Sequence, residues 1–375
     1  MPATYGLLGP LLEAAEAAMH LSQPRLPTQG VVQQWVNTLM FAAQTQDVPA
    51  LRVLHRIMGQ RMRVFGGDTL TSFADVQELM AREPEKIEWF AGPIDDRADY
   101  LTKGYMPFLL DGPNHEMRRK HIVGRIADAH RQLSELDTLL DESPDADHAI
   151  VLFLFRHLCS VELDASEVAW FLEYKQLARP LLLLPKVLRH TLLRERHELA
   201  QHRRLYFLER IERASQPIAD TWFDVIWFNS GTLGFYPAKA LQVIDKDPSL
   251  RLMIEDEVSW AIEDRLRTRA LIHEVVRIYG KIASTNYFED GKVRIALIPT
   301  ASVDPQRYQD PFKVDVTRDH SDTVVFAGPA PTRSCPAEHF APDLMATVLA
   351  HSVRSAMSRT RTRESLGGSN AGSPN

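Results

Sequence analysis

The sequence predicts a mainly α protein with a small β region, and three observations carry that prediction. Apolar residues recur at three- and four-residue spacing through most of the chain, the mark of amphipathic helices. One early stretch, RMRVFGGDTLTSF, departs from that rhythm, with two short β-prone runs flanking Gly66-Gly67-Asp68 as in a hairpin. At 375 residues, with 45% apolar and 25% charged residues, the chain can bury a large core and has the composition of an ordinary globular protein.

Charge and cysteine content narrow the function classes. A net charge of −6 gives no general affinity for nucleic acid or for acidic membranes. The one basic cluster, Arg354, Arg359, Arg361 and Arg363, reads as a solvated helix end. Two cysteines, Cys159 and Cys335, exclude a disulfide framework and a Cys-rich zinc site. No run approaches the roughly 20 apolar residues that span a bilayer, and LLLLP, ending at Pro185, is far too short. The N-terminus lacks a charged segment followed by an apolar core, so no signal peptide is expected and the cytoplasm is the default location.

In chain order, residues 1–60 read as helices, the hairpin follows, and Phe73-Ala74-Asp75-Val76 opens another helix. In DGPNHEMRRKHIVGRIADAH, Pro113 and Asn114 can start a helix, with Asn114 a candidate N-cap. His115 and Arg119 then share one face, one turn apart. Two such cations suit a carboxylate pair, but a basic surface stripe with Arg118, Lys120 and His121 fits equally. Residues 140–220 look helical, their His and Arg content a solvated face. In WFDVIWFNSGTLGFYPAKALQVI an apolar helix is interrupted by Asn229, Ser230, Gly231 and Gly234. Each glycine costs about 1 kcal/mol there, which calls for a packing or functional reason. Glu274 and Arg277 stand at i, i+3 on a further helix, a spacing that alone implies only a surface ion pair.

Cys335 lies in FAGPAPTRSCPAEHFAPDL, a loop that runs into an apolar helical stretch reaching about Val353. The positive end of that helix and Arg333, two residues upstream, are expected to lower the thiol pKa and favour thiolate. Such a thiolate can be a nucleophile, a redox thiol or an axial ligand to haem iron. A buried inert cysteine is the commoner fate of an isolated Cys, and it is the reading for Cys159 in IVLFLFRHLCSVEL.

Together these segments resemble the cytochromes P-450. Phe326, Gly328, Arg333, Cys335 and Ala341 fit that family's haem-binding loop, although two extra residues separate Phe326 from Cys335 and Ala337 stands where the family has glycine. ALIPTASVDPQRYQDPFKVDVTRD resembles the bacterial motif before that loop, with Ala301, Asp304, Pro305, Tyr308, Asp310, Pro311, Asp315, Thr317 and Arg318 in register. His115 and Arg119 fit the family's H-x-x-x-R, and Glu274 and Arg277 its E-x-x-R. The resemblance implies a single haem domain over 1–355, with 1–60 its helical N-terminal segment and 356–375 a disordered tail. It also implies haem b (iron protoporphyrin IX) with Cys335 as the metal ligand. His115, Arg119 and Arg333 would bind its propionates, and Asn229, Gly231 and Thr232 would line the oxygen side as catalytic residues.

The sequence departs from the family pattern at several places. Leu233 and Gly234 replace the acid and alcohol that deliver protons to iron-bound oxygen, and leucine cannot shuttle protons. Lys313 replaces an arginine expected to complete a buried network with Glu274 and Arg277. Asn286 stands near the place of a propionate-binding arginine. The segment from Gly291 to Ala301 is about ten residues shorter than the family's hairpin, and the C-terminal β-structure is truncated, the chain ending in SRTRTRESLGGSNAGSPN.

Three functions follow from the resemblance. The first is a monooxygenase-like haem-thiolate oxidoreductase acting on a small or medium apolar substrate, with a ferredoxin and reductase as electron donor and neither nucleic acid nor membrane as partner. The second is a reductase-independent haem enzyme that rearranges or dehydrates a hydroperoxide-like substrate, Asn229 polarising its oxygen. FNSG before Pro237, together with Gly104-Tyr105-Met106-Pro107, is similar to the allene oxide synthase and hydroperoxide lyase branch. The third is a haem-free auxiliary protein.

Overall fold

The computed structural model describes residues 61–64, 67–82, 85–86, 112–182, 193–214, 217–258, 264–280, 285–289, 292–321, 323–326, 332 and 334–367. The expected helices of 1–60 and the Gly104–Pro107 motif lie outside the described residues.

The early hairpin forms as read. Strand β1 (Arg61–Val64) pairs antiparallel with β2 (Gly67–Leu70), Val64 opposite Gly67. With β3 (Glu85–Lys86), β4 (Thr285–Glu289) and β5 (Lys292–Ala296) they make one sheet in the order β1-β2-β5-β4-β3, in which only β2 and β5 are parallel. The segment after Gly291, expected to be too short for its hairpin, still completes the sheet: β4 and β5 pair from Glu289↔Lys292 to Thr285↔Ala296. Asn286 lies in β4, its Cα opposite Ile295.

Helix α1 (Phe73–Arg82) is tied to this sheet by the segment that follows it. Ser72 and Asp75 form a reciprocal cap at its start, and the Phe73 amide donates to Asp304 Oδ2 at 2.8 Å across 231 residues of sequence. Short helix α10 (Ile298–Ala301) and Tyr308 pack on α1, with Phe73 and Tyr308 edge to face at 5.8 Å. Part of the motif read at 301–318 therefore has a structural reason: Asp304 caps a distant helix and Tyr308 seals its end.

The larger core is a helical bundle of α3 (Leu133–Glu142), α4 (Ala146–Cys159), α7 (Ala219–Ile244) and α11 (Phe340–Gly367). Helix α2 (Gly112–His130) packs on α4, while α9 (Leu266–Tyr279) packs on α7 and α11. Helix α5 (Ala165–Leu182) pairs with α6 (Arg194–Arg213), which lies against α7, and α8 (Pro248–Glu257) joins α7 to α9. Phe155, Phe171, Phe207 and Phe223 interlock between these layers, with Phe155–Phe171 and Phe171–Phe223 edge to face at 5.0 and 5.9 Å. Cys159 is fully buried in this core, and burial drives its thiol pKa far up, which makes it the inert cysteine expected.

Two expectations from sequence change here. The Asn229–Gly234 stretch does not interrupt α7, which is continuous for 26 residues with Pro237 inside it. At Gly234 an added Cβ would meet the tip of the Asp147 carboxylate of α4, an exposed side chain that can turn aside. At Gly231 an added Cβ meets only Lys175 Cε, at 3.9 Å. Gly231→Ala and Gly234→Ala are therefore both expected to be neutral or stabilising in urea unfolding, by up to about 1 kcal/mol, since each replaces a helical glycine; a clear loss at either position would contradict this packing. The second change concerns the tail. Helix α11 runs to Gly367, so 356–367 are helical and only 368–375 lie beyond the described residues. Its polar side chains bond their own helix, Ser358 Oγ to Arg354 O at 3.0 Å and Arg359 Nε to Ser355 O at 3.1 Å. Pro342 sits in its first turn, where proline is tolerated, and no further glycine or proline occurs before Gly367.

Among the described residues no helix is long and apolar enough to cross a membrane, and no strand follows β5.

Candidate functional site

Where α7, α9, α10 and α11 meet, they leave a cavity of about 970 Å³, counting its open mouth. The α7 wall presents Val225, Ile226, Asn229, Thr232, Leu233 and Tyr236, which recur at three- and four-residue steps on one face. Ile126, Leu154 and Leu158 close a second side. Phe326, Cys335, Phe340 and Met345 line it as well, so the Cys335 loop and α7 border the same cavity.

Two backbone bonds shape the loop. The Cys335 amide donates to Phe326 O at 2.7 Å, closing the two ends of the loop, and the Ala337 amide donates to the Cys335 sulfur. Turns carry the chain from Cys335 to Phe340, where α11 begins, so the cysteine lies outside the first helical turn. This corrects the expectation of a lowered thiol pKa. Burial pushes the Cys335 thiol up, and the Ala337 amide and Arg119 offset that only in part. The macrodipole fades within the first turn, and Arg333 and Gly328 lie outside the described residues.

His115 and Arg119 do share one face of α2. His115 is buried and Arg119 reaches the loop, donating through Nη1 to Ser334 O at 2.6 Å and through Nη2 to Ser334 Oγ at 3.1 Å. The alternative of a basic surface stripe holds for Lys120 and His121, which are exposed. Arg118 turns away to the start of α7, bonding Thr221 and, at 3.3 Å, Asp220.

Of the three residues expected on the oxygen side, Asn229 and Thr232 line the cavity and Gly231 does not; Gly231 faces Lys175 of α5. Asn229 Nδ2 donates to Val225 O at 2.8 Å and Thr232 Oγ1 to Asn229 O at 2.7 Å, so both side chains are anchored on their own helix. Leu233, standing where a proton-delivering acid was sought, is part of the same wall. Tyr236 and Ser302 also line it and were missed. Tyr236 could have been found by continuing the step from Asn229 through Thr232 and Leu233, whereas nothing in the local sequence marks Ser302.

Behind the loop, Glu274 and Arg277 form a buried two-bond pair, Nε to Oε1 at 2.7 Å and Nη2 to Oε2 at 2.9 Å. Arg277 Nη1 also donates to Ser302 O and Pro311 O, and the Asp315 amide donates to Glu274 Oε2 at 2.9 Å. The third cation expected from position 313 comes instead from Arg318, whose Nε lies 3.3 Å from Glu274 Oε2. Lys313 is exposed, and it contributes its carbonyl, 3.5 Å from Arg277 Nη2. Among the described residues no group of three or more His, Cys, Asp or Glu side chains is placed to hold a metal ion.

No family model matches the chain, and no curated protein matches it in sequence. Solved structures do resemble it. Epothilone D-bound cytochrome P450epoK is 18% identical, with a TM-score of 0.59 over 81% of this chain and 87% of that one. Ligand-free CYP164A2 of Mycobacterium smegmatis is 15% identical, with a TM-score of 0.62 over 87% and 92%. P450BioI in complex with hexadec-9Z-enoic acid-ligated acyl carrier protein is 11% identical, with a TM-score of 0.61 over 84% and 92%. Likeness at these identities is likeness of fold: the chain has the cytochrome P450 fold. The residues present fit the haem that fold family carries. A cysteine sulfur sits in one wall with an amide N–H on it, the remaining walls are mostly apolar, and Arg119 stands beside the loop.

Proposed function

We propose that this chain, a divergent protein on the cytochrome P450 fold, is a haem-thiolate oxidoreductase that acts on a small or medium apolar substrate in the cytoplasm. The observation that carries the reading is Cys335 in the wall of an apolar cavity that α7 also lines. Haem b, when bound, would supply the oxidising or rearranging chemistry, and Cys335 would be its metal ligand. Burial holds the free thiol protonated, and a bound metal cation is what would make the thiolate favourable there. Arg119, with His115 and Arg333, would hold the propionates, Arg119 by exchanging its Ser334 contacts for a carboxylate. Asn229 and Thr232 would orient the substrate from the α7 wall, whereas Gly231 points toward Lys175, away from the cavity. A ferredoxin and its reductase would supply electrons, and the 1–355 region would act as one haem domain.

The presence of Leu233 on the wall supports the second reading, a reductase-independent rearrangement of a hydroperoxide-like substrate, because that chemistry needs no proton-delivering acid. In that reaction Asn229 would have to present a donor to the substrate oxygen, and one of its two amide hydrogens is already held by Val225 O.

One assay tests the proposal and separates the readings. Haem-loaded protein is offered apolar substrates with ferredoxin, reductase and NADPH in one arm, and organic hydroperoxides alone in the other. Turnover in the first arm that is lost in Cys335→Ala supports the oxidoreductase. Hydroperoxide loss without reductase selects the rearrangement. A protein that takes up no haem and turns over nothing contradicts both and favours an auxiliary role.

A further inference from the structure

The Cys335 loop is gripped from two sides, and only one of them involves a residue given a role above. On one side Arg119 holds Ser334. On the other stands a pair of histidines. His273, on α9 directly before Glu274, lies nearly parallel to His320, with ring centroids 5.2 Å apart and planes at 15°. The same His273 ring meets Phe326 edge to face, at 6.0 Å and 83°. Phe326 is both a cavity wall and the residue whose carbonyl takes the Cys335 amide at 2.7 Å. The stack therefore reaches Cys335 through one ring contact and one hydrogen bond.

The outer ring stands beside the braced network. His320 Nε2 lies 4.0 Å from Glu274 Oε1, beyond hydrogen-bond reach, and that carboxylate holds Arg277 and the Asp315 amide. Packing against α9 and this carboxylate, rather than a hydrogen bond, keeps the two rings in place. The charged and titratable groups around His273 are His320, Arg269 and His339, and around His320 they are Glu274, Arg277, Arg318 and Asp319. Burial, more than any neighbouring charge, holds His273 neutral, with its pKa pushed down to about 3, so the ring acts as an uncharged platform.

We propose that His273 is a positioning residue for Cys335: wedged between His320 and Phe326, it fixes the Phe326 carbonyl and so the direction in which the Cys335 sulfur meets the cavity. This rests on the reading of Cys335 as the working group of the site. An aromatic ring is what the position needs. Phenylalanine can keep the edge contact to Phe326, and alanine cannot.

The test uses the full chain and two readouts. In haem-free protein, the rate at which iodoacetamide modifies Cys335 is followed by peptide mass spectrometry, Cys159 being sealed in the core. His273→Ala is expected to raise that rate about tenfold or more by freeing the loop, while His273→Phe stays near wild type. In haem-loaded protein, His273→Ala is expected to shift part of the reduced, carbon monoxide-bound Soret band toward the unshifted position of a lost thiolate ligand, and His273→Phe is expected to restore it. Should His273→Ala fail to fold, His320→Ala, which removes the outer ring alone, is expected to raise the modification rate in the same direction. Unchanged rates in the folded variants, or a phenylalanine variant that behaves like alanine, would overturn the proposal. If the protein takes up no haem, the functional reading fails, and the modification rates still decide this one.

Discussion

Glu274→Ala is expected to cost about 3–5 kcal/mol of stability, the loss found when one partner of a buried ion pair is removed. The carboxylate receives Arg277 through two nitrogens, the Asp315 amide, and Arg318 at 3.3 Å, all in the interior behind the cysteine loop. Its removal leaves two guanidinium groups in the interior without their carboxylate and weakens the link between α9 and the 302–318 segment. A loss of that size is comparable with the total stability of many domains. The variant should therefore accumulate as insoluble protein or show a strongly lowered urea midpoint. Arg277→Lys keeps the charge and loses the fork, along with the bonds to Ser302 O and Pro311 O, so it should also destabilise, by less. A Glu274→Ala protein within 1 kcal/mol of wild type, on the scale expected of an exposed pair, would show that the network is not the brace described.

Acid should unfold the protein through His273. Its folded pKa of about 3 lies below the ordinary value of 6.5, so the unfolded chain takes up a proton that the folded chain refuses. The stability this group confers is present above pH 6.5 and is lost as pH falls toward 3, at up to about 1.4 kcal/mol per pH unit. Burial also lowers the His320 pKa, which adds to the same limb. Urea unfolding of wild type between pH 7 and 4 should show this slope, and His273→Phe, which cannot titrate, should flatten it by about one proton. An identical slope in the two proteins would place the acid sensitivity elsewhere.

The fold was legible from sequence wherever its signals were local. The hairpin at Gly66-Gly67-Asp68, the start of α1 and the Glu274–Arg277 spacing each depend on residues a few positions apart, and each forms. What failed depended on distant partners or on burial. Arg318 was placed in register, but its approach to Glu274, 44 residues away, has no local mark, and so the missing cation was sought at Lys313. Gly231 and Gly234 were read as one interruption, although they differ once the helix phase is drawn: Gly234 takes the Asp147 carboxylate of α4, Gly231 lies under Lys175, and the cavity takes Asn229, Thr232 and Tyr236. The Cys335 environment was inferred from visible charges, but a thiol pKa is set by charge and desolvation together, and only the folded chain shows the second. At the C-terminus, composition suggested a tail from 356, yet the glycine that ends α11 comes only at 367.

The central claim is that Cys335 is a haem-iron ligand, and one spectrum tests it most directly. Protein expressed with supplemented haem is reduced with dithionite under carbon monoxide, beside Cys335→Ala. The account predicts a red-shifted Soret band in wild type that is absent from the variant. A folded wild-type protein without haem, or a band that survives in Cys335→Ala, would contradict it.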